Sequence, residues 1–451
     1  MSTQGASDNM RVTDFEPILL LEVDLADPLE KVSFYSPETD VQYSRAIMLV
    51  RIHTYPIGYV TITAPPTEIS AIDCAQIIWR ELNTEIVSYT QTYGLPAIDK
   101  LGVAGLSELE PPEYIKVRQR LLETGPFISI VVTTRNRPDS LVETLRSLSE
   151  LAYTNYEIIV VDNAPTTQPA DQVVTALSEE IPNMRYLRED RVGLSWARNC
   201  GLRAALGEIT VFSDDDVQVD QDWLTALVEG FNAGDNVACV TGLIRPHELE
   251  TPAQVWCEEH GGFGKGYMLR VFDLDENRAD DPLFPYRLSM LGTGANTAFK
   301  SEVLRSFGGM DPALGAGSPA RSGEEFSAFY HILKNGYQIV YQPGALIYHS
   351  HYRDYASFKK QFYGYGVGYG AFLTKCILDD PKTLLALLSR LPYVLFFVFN
   401  SDSPKHEMKT ADYPKELDRF ELFGLLYGPI AYLQSRYRTY RLQKQRKRLS
   451  E

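Results

Sequence analysis

Cysteine is scarce in this chain. Five occur among 451 residues (Cys74, Cys200, Cys239, Cys257 and Cys376), scattered and with no CxxC spacing. So sparse and odd a set does not make a disulfide framework and fits unpaired thiols in a reducing compartment. Basic charge is also in short supply. The 43 Lys and Arg against 59 Asp and Glu leave a formal net charge of -16, which opposes a general nucleic-acid coat protein, so no nucleic-acid partner is expected. A long apolar run is missing too. The most apolar stretch, "LLALLSRLPYVLFFVFN" (384–400), is broken by Arg390 and Pro392 and falls short of the roughly 20 residues a spanning helix needs. We expect a buried helix pair there, with an interfacial membrane contact as the second reading. The opening "MSTQGASDNMRVTDFEP" has no basic segment followed by an apolar core, so no signal peptide is expected. The expected location is cytoplasmic, or peripheral at the inner face of the membrane.

What is present suffices for two or three domains, since 44% hydrophobic residues over this length can bury several cores. Residues 1–120 read as a small accessory α+β domain. In it "AIMLVRIHTYPIGYVTITAPP" is two β-rich runs broken at "TYPIG", and "AIDCAQIIWRELNTEIVSYTQTYG" is a helix stopped at Gly94. No chemical constellation occurs there, so a structural or partner-binding role is expected. Residues 121–355 change texture, and residues 356–451 read as a helical extension. Its tail, "RYRTYRLQKQRKRLSE", carries seven basic residues from Arg436 to Arg448. A solvated helix is the first reading of that tail and contact with anionic lipid the second.

Within the middle segment, β-branched runs alternate with helical patterns: "FISIVVT", "RPDSLVETLRSLSEL", "YEIIVVD", "ADQVVTALSEEI", "MRYLRE", "LSWARNCGLRAAL" and "EITVFSD". That alternation predicts an α/β fold with a mostly parallel sheet covered by helices on both faces. Ligands of such sheets bind beyond the carboxyl ends of the strands. Three apolar runs end in polar groups there: Thr133, Thr134 and Arg135; Asp162 and Asn163; and the triplet Asp214, Asp215 and Asp216. Three adjacent carboxylates repel, and a divalent cation would remove that repulsion. Carboxylate oxygens suit Mg²⁺ or Mn²⁺. The competing explanations are a solvated acidic turn and a helix cap before "WLTALVEGF", and the cap falls better on Asp220 or Asp222.

These motifs together resemble the family 2 glycosyltransferases, which have a GT-A fold. The resemblance runs through "ISIVVTTRNRPDSLVETLRSL", "YEIIVVDNAPT", "GLSWARNCGLRAALGEITVFSDDDV" and "DWL", then "GTGANTAFKSEVLRSFGGMD", "GEE" and "PGALIYHSH", roughly residues 127 to 352 in the family's order. It implies a GT-A glycosyltransferase domain and a nucleotide-sugar donor, with a UDP-sugar foremost. Thr133, Arg135 and Asp162 would line the nucleotide pocket, Arg198 would lie near the nucleotide, and Asp214 would contact the ribose. Asp216 would bind the metal. Asp215 is grouped with the nucleotide-sugar residues without a separate role. The acceptor would be a carbohydrate, a lipid-linked molecule or another hydroxyl compound.

The resemblance also places a general base at the acidic pair of "GAGSPARSGEEFSAFYHIL". The family usually shows Glu-Asp there, with the second carboxylate as base. Here the pair is Glu324-Glu325, so Glu325 is the expected base, and the longer second side chain keeps Glu324 open as the alternative. "YQPGALIYHSH" ends an apolar strand in His349 and His351; the family's first such histidine reaches the metal, which nominates His349, and imidazole favours Mn²⁺ over Mg²⁺. "GTGANTAFK" offers Asn296 for a donor-side contact, with a simple tight turn as the other reading. "EEHGGFGKGY" (258–267) reads as an acceptor-side or lid segment; Lys265 lacks the spacing of a phosphate loop. The expected activity is metal-dependent, inverting transfer of a sugar. A sugar nucleotidyltransferase and an inactive nucleotide-sugar-binding scaffold are the alternatives.

Overall fold

The β-branched runs form strands Ile128–Thr134, Tyr156–Asn163, Met184–Glu189 and Ile209–Asp214. They pair in parallel, with Ile128–Thr134 between Tyr156–Asn163 and Ile209–Asp214, and Met184–Glu189 at the edge. The computed structural model describes residues 15–36, 40–63, 65–166, 170–400, 402–406, 409–410 and 413–450, and side chains as far as residue 445. Most of the opening stretch read above and the last basic side chains of the tail lie outside the described residues.

The pleat of strand Ile128–Thr134 sorts its residues between two cores. Ile128, Ile130 and Val132 pack with Leu141, Leu145 and Leu148 of helix Pro138–Ser149 and with Trp223, Leu224 and Leu227 of helix Trp223–Phe231. Val131 joins Ala197 and Leu202 of helix Leu194–Ala204, and Phe329, Ile332 and Leu333 of helix Glu324–Lys334, on the other face. The helices therefore cover both faces, as the alternating pattern requires.

Beyond Ile209–Asp214 the sheet becomes mixed. Strand Thr297–Lys300 runs antiparallel to it, and is followed by Val237–Pro246, Gln338–His349 and the short edge strand Val217–Val219. Thr297–Lys300 runs antiparallel to both of its neighbours, whereas Val237–Pro246 and Gln338–His349 pair in parallel, so one reversed strand separates two parallel groups. Only Asp215 and Asp216 link the central strand Ile209–Asp214 to the edge strand Val217–Val219. Four strand spacings laid flat would cover about 19 Å, further than that short link reaches, so the sheet must curl. The curl brings His349 beside the acidic turn, with Val217 directly opposite it in register.

In the N-terminal region, strands Ile18–Asp24, Arg45–Ile52 and Tyr55–Thr63 form a separate sheet, packed by helix Ala71–Thr92. The break expected at "TYPIG" falls earlier, at His53 and Thr54, and Tyr55 to Gly58 belong to the strand. Both turn residues have positive φ, and both backbone N–H groups donate to Asp24 (2.9 and 2.6 Å). The Asp24 carboxylate holds this tight turn.

Asp220 and Asp222 prove not to be simple caps. Asp222 occupies the N-cap position of helix Trp223–Phe231 without a side-chain cap bond. Asp220 accepts from Arg51 at 2.7 Å, and Arg118 binds Glu229 at 2.7 Å with Asp222 3.8 Å away. These buried guanidiniums fasten the N-terminal region to the sheet domain.

The C-terminal residues form helices Tyr355–Asp379, Lys382–Ser389, Leu391–Phe399 and Glu416–Ser450. The glycines of "FYGYGVGYG" serve packing. A Cβ on Gly366 or Gly370 would strike the backbone of Glu421 or Leu425, and one on Gly424 or Gly428 would strike the backbone of the facing helix. Small residues thus let helices Tyr355–Asp379 and Glu416–Ser450 approach backbone to backbone. The expectation of a buried helix pair at 384–400 is corrected. Of the two helices there only Thr383 is buried, because the pair lies as an outer layer touching the core through Ala386 and Leu387.

Candidate active site

The strand register sets the rim. Asp214 lies opposite Thr133, and Thr134 lies opposite Asp162, so three neighbouring strands deliver polar residues to one line. Asp214, Asp216 and His349 can each present a ligand atom within 4.8 Å of the others, and His349 Nε2 is 3.4 Å from Asp216 Oδ1. Burial lowers the pKa of His349, which favours the neutral imidazole that a metal needs. Two carboxylates and a neutral imidazole are a donor set that fits Mn²⁺ or Mg²⁺, the imidazole favouring Mn²⁺.

Asp215 turns inward. It accepts from Thr134 Oγ1 (2.6 Å) and Arg137 Nη1 (2.8 Å), and burial pushes its pKa up to about 6. Arg137 also binds Asp216 at 2.8 Å, so one guanidinium bridges two members of the triplet. Sequence reasoning passed over this residue in favour of Arg135, whose side chain is exposed just past the strand end. The alternation in "TRNRP" was the available signal: Arg137 sits at the entry to helix Pro138–Ser149, which faces the acidic turn. Thr133 is buried at the rim.

Asp162 is fully buried. Its Oδ2 accepts from the Ala170 backbone N–H (3.0 Å) and Tyr186 Oη (3.2 Å), while Oδ1 has no partner among the described residues. An unsatisfied buried carboxylate oxygen is costly unless a ligand donor meets it.

Arg198 takes a different place from the nucleotide contact expected of it. It is buried, and its guanidinium donates to Asp214 (3.2 Å), Glu324 (3.1 Å) and the Gly294 carbonyl (3.1 Å). A buried cation needs anionic partners, and these two use the planar fork that would otherwise grip a phosphate. Gly294 is glycine for this reason: a Cβ would lie 2.6 Å from the guanidinium. Asn296 is also corrected. Its amide is fully buried and spent on Trp223 Nε1 (2.8 Å) and the carbonyls of Leu243 and Ala345 (3.0 and 2.8 Å), which pins three elements and leaves nothing for a donor.

The acidic pair opens helix Glu324–Lys334 after Gly323, which adopts a left-handed backbone. Glu324 is buried against Arg198, with Oε2 unpartnered among the described residues. Glu325 is partly exposed, and burial followed by the charge of Glu324 raises its pKa above the ordinary carboxylate range. Arg198 thus joins the acidic turn to the acidic pair.

His351 and Glu258 also escaped the sequence reading as a pair. His351 is buried with Nε2 2.9 Å from Glu258, and its Nδ1 lies 3.3 Å from His349 Nδ1. Phe263, from the glycine-rich "EEHGGFGKGY" segment, sets its ring 5.3 Å from both imidazoles. That segment therefore walls the His349 side of the site.

Residues 129–302 match the family profile described as Glycosyl transferase family 2. Over 124 residues the chain is 37% identical to succinoglycan biosynthesis protein ExoM of Rhizobium meliloti (strain 1021), covering 27% of this chain and 39% of that protein. Over 240 residues it is 24% identical to the pre-mycofactocin glycosyltransferase of Mycobacterium tuberculosis (strain ATCC 25618 / H37Rv), covering 52% of this chain and 46% of that one. The chain spans less than half the length of these curated relatives. Among solved structures, the mannosyltransferase PcManGT from Pyrobaculum calidifontis, in complex with GDP-Man and Mn²⁺, overlaps 70% of this chain and 93% of its own at 18% identity. Its TM-score of 0.46 is too low to bear on ligands here. The profile match spans the strands that build the rim, so it is the segment 129–302 of this chain that is similar to glycosyl transferase family 2.

Proposed function

We propose that this protein is a metal-dependent, inverting glycosyltransferase that moves a sugar from a nucleoside-diphosphate donor, a UDP-sugar foremost, onto an acceptor hydroxyl. The acceptor is a carbohydrate, a lipid-linked molecule or another hydroxyl compound. The observation that supports the reading is the ion-paired line Asp214–Arg198–Glu324, which ties the metal-competent cluster to the residue next to the partly exposed Glu325. Inverting transfer is one in-line displacement. The acceptor oxygen forms its bond to the anomeric carbon as its proton passes to Glu325, and the bond to the diphosphate breaks with its electron pair. Asp162 Oδ1 supplies an acceptor for an N–H of the base, with Thr133 and Arg135 as further contacts of the nucleotide. A divalent cation held by Asp216 and His349, with Asp214 in reach, would supply charge stabilisation for the departing diphosphate.

The test is a panel of nucleoside-diphosphate sugars read by melting shift with Mn²⁺ and with EDTA, followed by product analysis. One donor is expected to raise the melting temperature only with Mn²⁺, and turnover to release nucleoside diphosphate. Pyrophosphate release would make the chain a nucleotidyltransferase. Donor binding without hydrolysis or transfer would make it a scaffold, and EDTA-insensitive turnover would remove the metal.

Asp216→Asn is expected to weaken Mn²⁺ binding at least about tenfold by calorimetry, since even outer partners of metal ligands are worth that much. An unchanged affinity would take Asp216 out of the ligand set.

A further inference from the structure

The C-terminal helices leave apolar surface uncovered on an otherwise acidic protein. Helix Leu391–Phe399, "LPYVLFFVF", contains no buried residue, and Leu395, Phe396 and Phe399 are exposed. Leu384, Leu385 and Leu388 of the preceding helix are exposed as well. No single described helix is long and apolar enough to cross a membrane, and these two are bent by 53° at their junction. On helix Glu416–Ser450 a second apolar surface runs through Phe423, Leu426, Ile430, Leu433, Tyr437 and Tyr440, all exposed. Their spacing of three and four residues places them on one stripe.

This stripe cannot turn inward. The opposite side of the helix carries Gly424, Gly428, Ala431 and Ser435, all buried. Gly428 meets Gly370 so closely that a Cβ on Gly428 would lie 2.5 Å from the Gly370 Cα. The rotation of the helix is therefore fixed, with its apolar stripe outward.

We propose that this helical layer docks on the surface of an anionic lipid bilayer. The charge pattern selects that occupant over a second copy of the chain. From residue 422 to residue 450 there is no Asp or Glu, although the whole chain carries a net charge of -16. Arg436, Arg441 and Lys444 are exposed along the stripe, and a second copy seated on it would bring like charges together. A bilayer with anionic headgroups answers both features: acyl chains take the leucines and phenylalanines, and headgroup phosphates take the guanidiniums. Tyr437 and Tyr440 fall next to those arginines, where an amphipathic ring suits the headgroup level. The stripe also opens at Phe423 into a groove of about 400 Å³ lined by Ala356, Lys359, Lys360, Tyr363 and Phe420, whose lining is almost wholly apolar. This docking does not depend on the proposed transfer reaction.

The test is vesicle co-sedimentation of the full chain with phosphatidylcholine alone and with phosphatidylcholine containing phosphatidylglycerol. Binding is expected to the mixed vesicles and to weaken with salt. The pairs Leu426→Glu/Leu433→Glu and Leu395→Glu/Phe399→Glu change exposed positions, so melting should be near wild type while binding falls at least about tenfold. Arg436→Gln/Arg441→Gln, which needs no apolar change, should lose about thirtyfold. Failure of the wild-type chain to bind the mixed vesicles would overturn the proposal. So would a dimer in sedimentation velocity that Leu426→Glu/Leu433→Glu dissolves while vesicle binding is unchanged, which would identify a second copy as the occupant.

Discussion

Glu325→Gln is expected to lower the rate of sugar transfer by about 10²- to 10⁴-fold, the range ascribed to a positioned general base. Donor binding, read by melting shift with Mn²⁺, should survive, because Glu325 lies outside the acidic turn that forms the metal-competent cluster. The amide keeps the size and hydrogen-bonding reach of the carboxylate but cannot accept the acceptor's proton. Glu324 is the poorer base on structural grounds: it is buried, and Oε1 is engaged by Arg198. Near wild-type transfer by Glu325→Gln would move the base elsewhere.

The same assignment fixes the direction of the pH profile. Burial and the Glu324 charge hold the Glu325 proton on to a higher pH than an ordinary carboxylate. A base works only after losing that proton. Transfer should therefore rise with pH through the raised pKa, with its acid limb above the usual carboxylate range. In Glu325→Gln the residual activity should lose that limb. A limb unchanged in the variant would assign the titration to another group.

Most of the sheet was legible because its signals are local. β-Branched runs and leucine spacing decide strands and helices within a few residues, and the register then follows from which strands are neighbours. The rim was legible for the same reason: "VVTT", "VVDN" and "FSDDD" end strands that pair side by side. Roles that depend on tertiary burial were not. Arg198 and Arg203 lie on one helix, and no periodicity tells which guanidinium enters the core; the answer lies in Glu324, over a hundred positions away, and in the space left by Gly294. Asn296 looked like a polar group in a glycine turn until the carbonyls of Leu243 and Ala345 converged on it. The apolar run at 384–400 has the composition of a core, yet most of its residues have no partner layer, a fact that only packing can disclose.

Arg198→Met carries the largest expected loss of stability, about 3–5 kcal/mol, the cost of breaking a buried ion pair from one side. The two partners should not contribute equally. The Glu324 side chain is 5% exposed and the Asp214 side chain 30% exposed, so water can rescue Asp214 but not Glu324. Adding Glu324→Gln to Arg198→Met should then recover most of the loss, whereas adding Asp214→Asn should recover little; a denaturation cycle over these variants measures the coupling. Arg198→Lys should fail to restore the wild type, because a single ammonium cannot span Asp214, Glu324 and the Gly294 carbonyl as the guanidinium fork does. Lower pH should narrow the gap between Arg198→Met and the wild type, since protonation neutralises the stranded carboxylate. A loss below about 1 kcal/mol, within the range of an exposed ion pair, would mean that the two halves of the site are held together by packing alone. In that case the line from Asp214 through Arg198 to Glu324 would no longer connect the metal-competent cluster to the base.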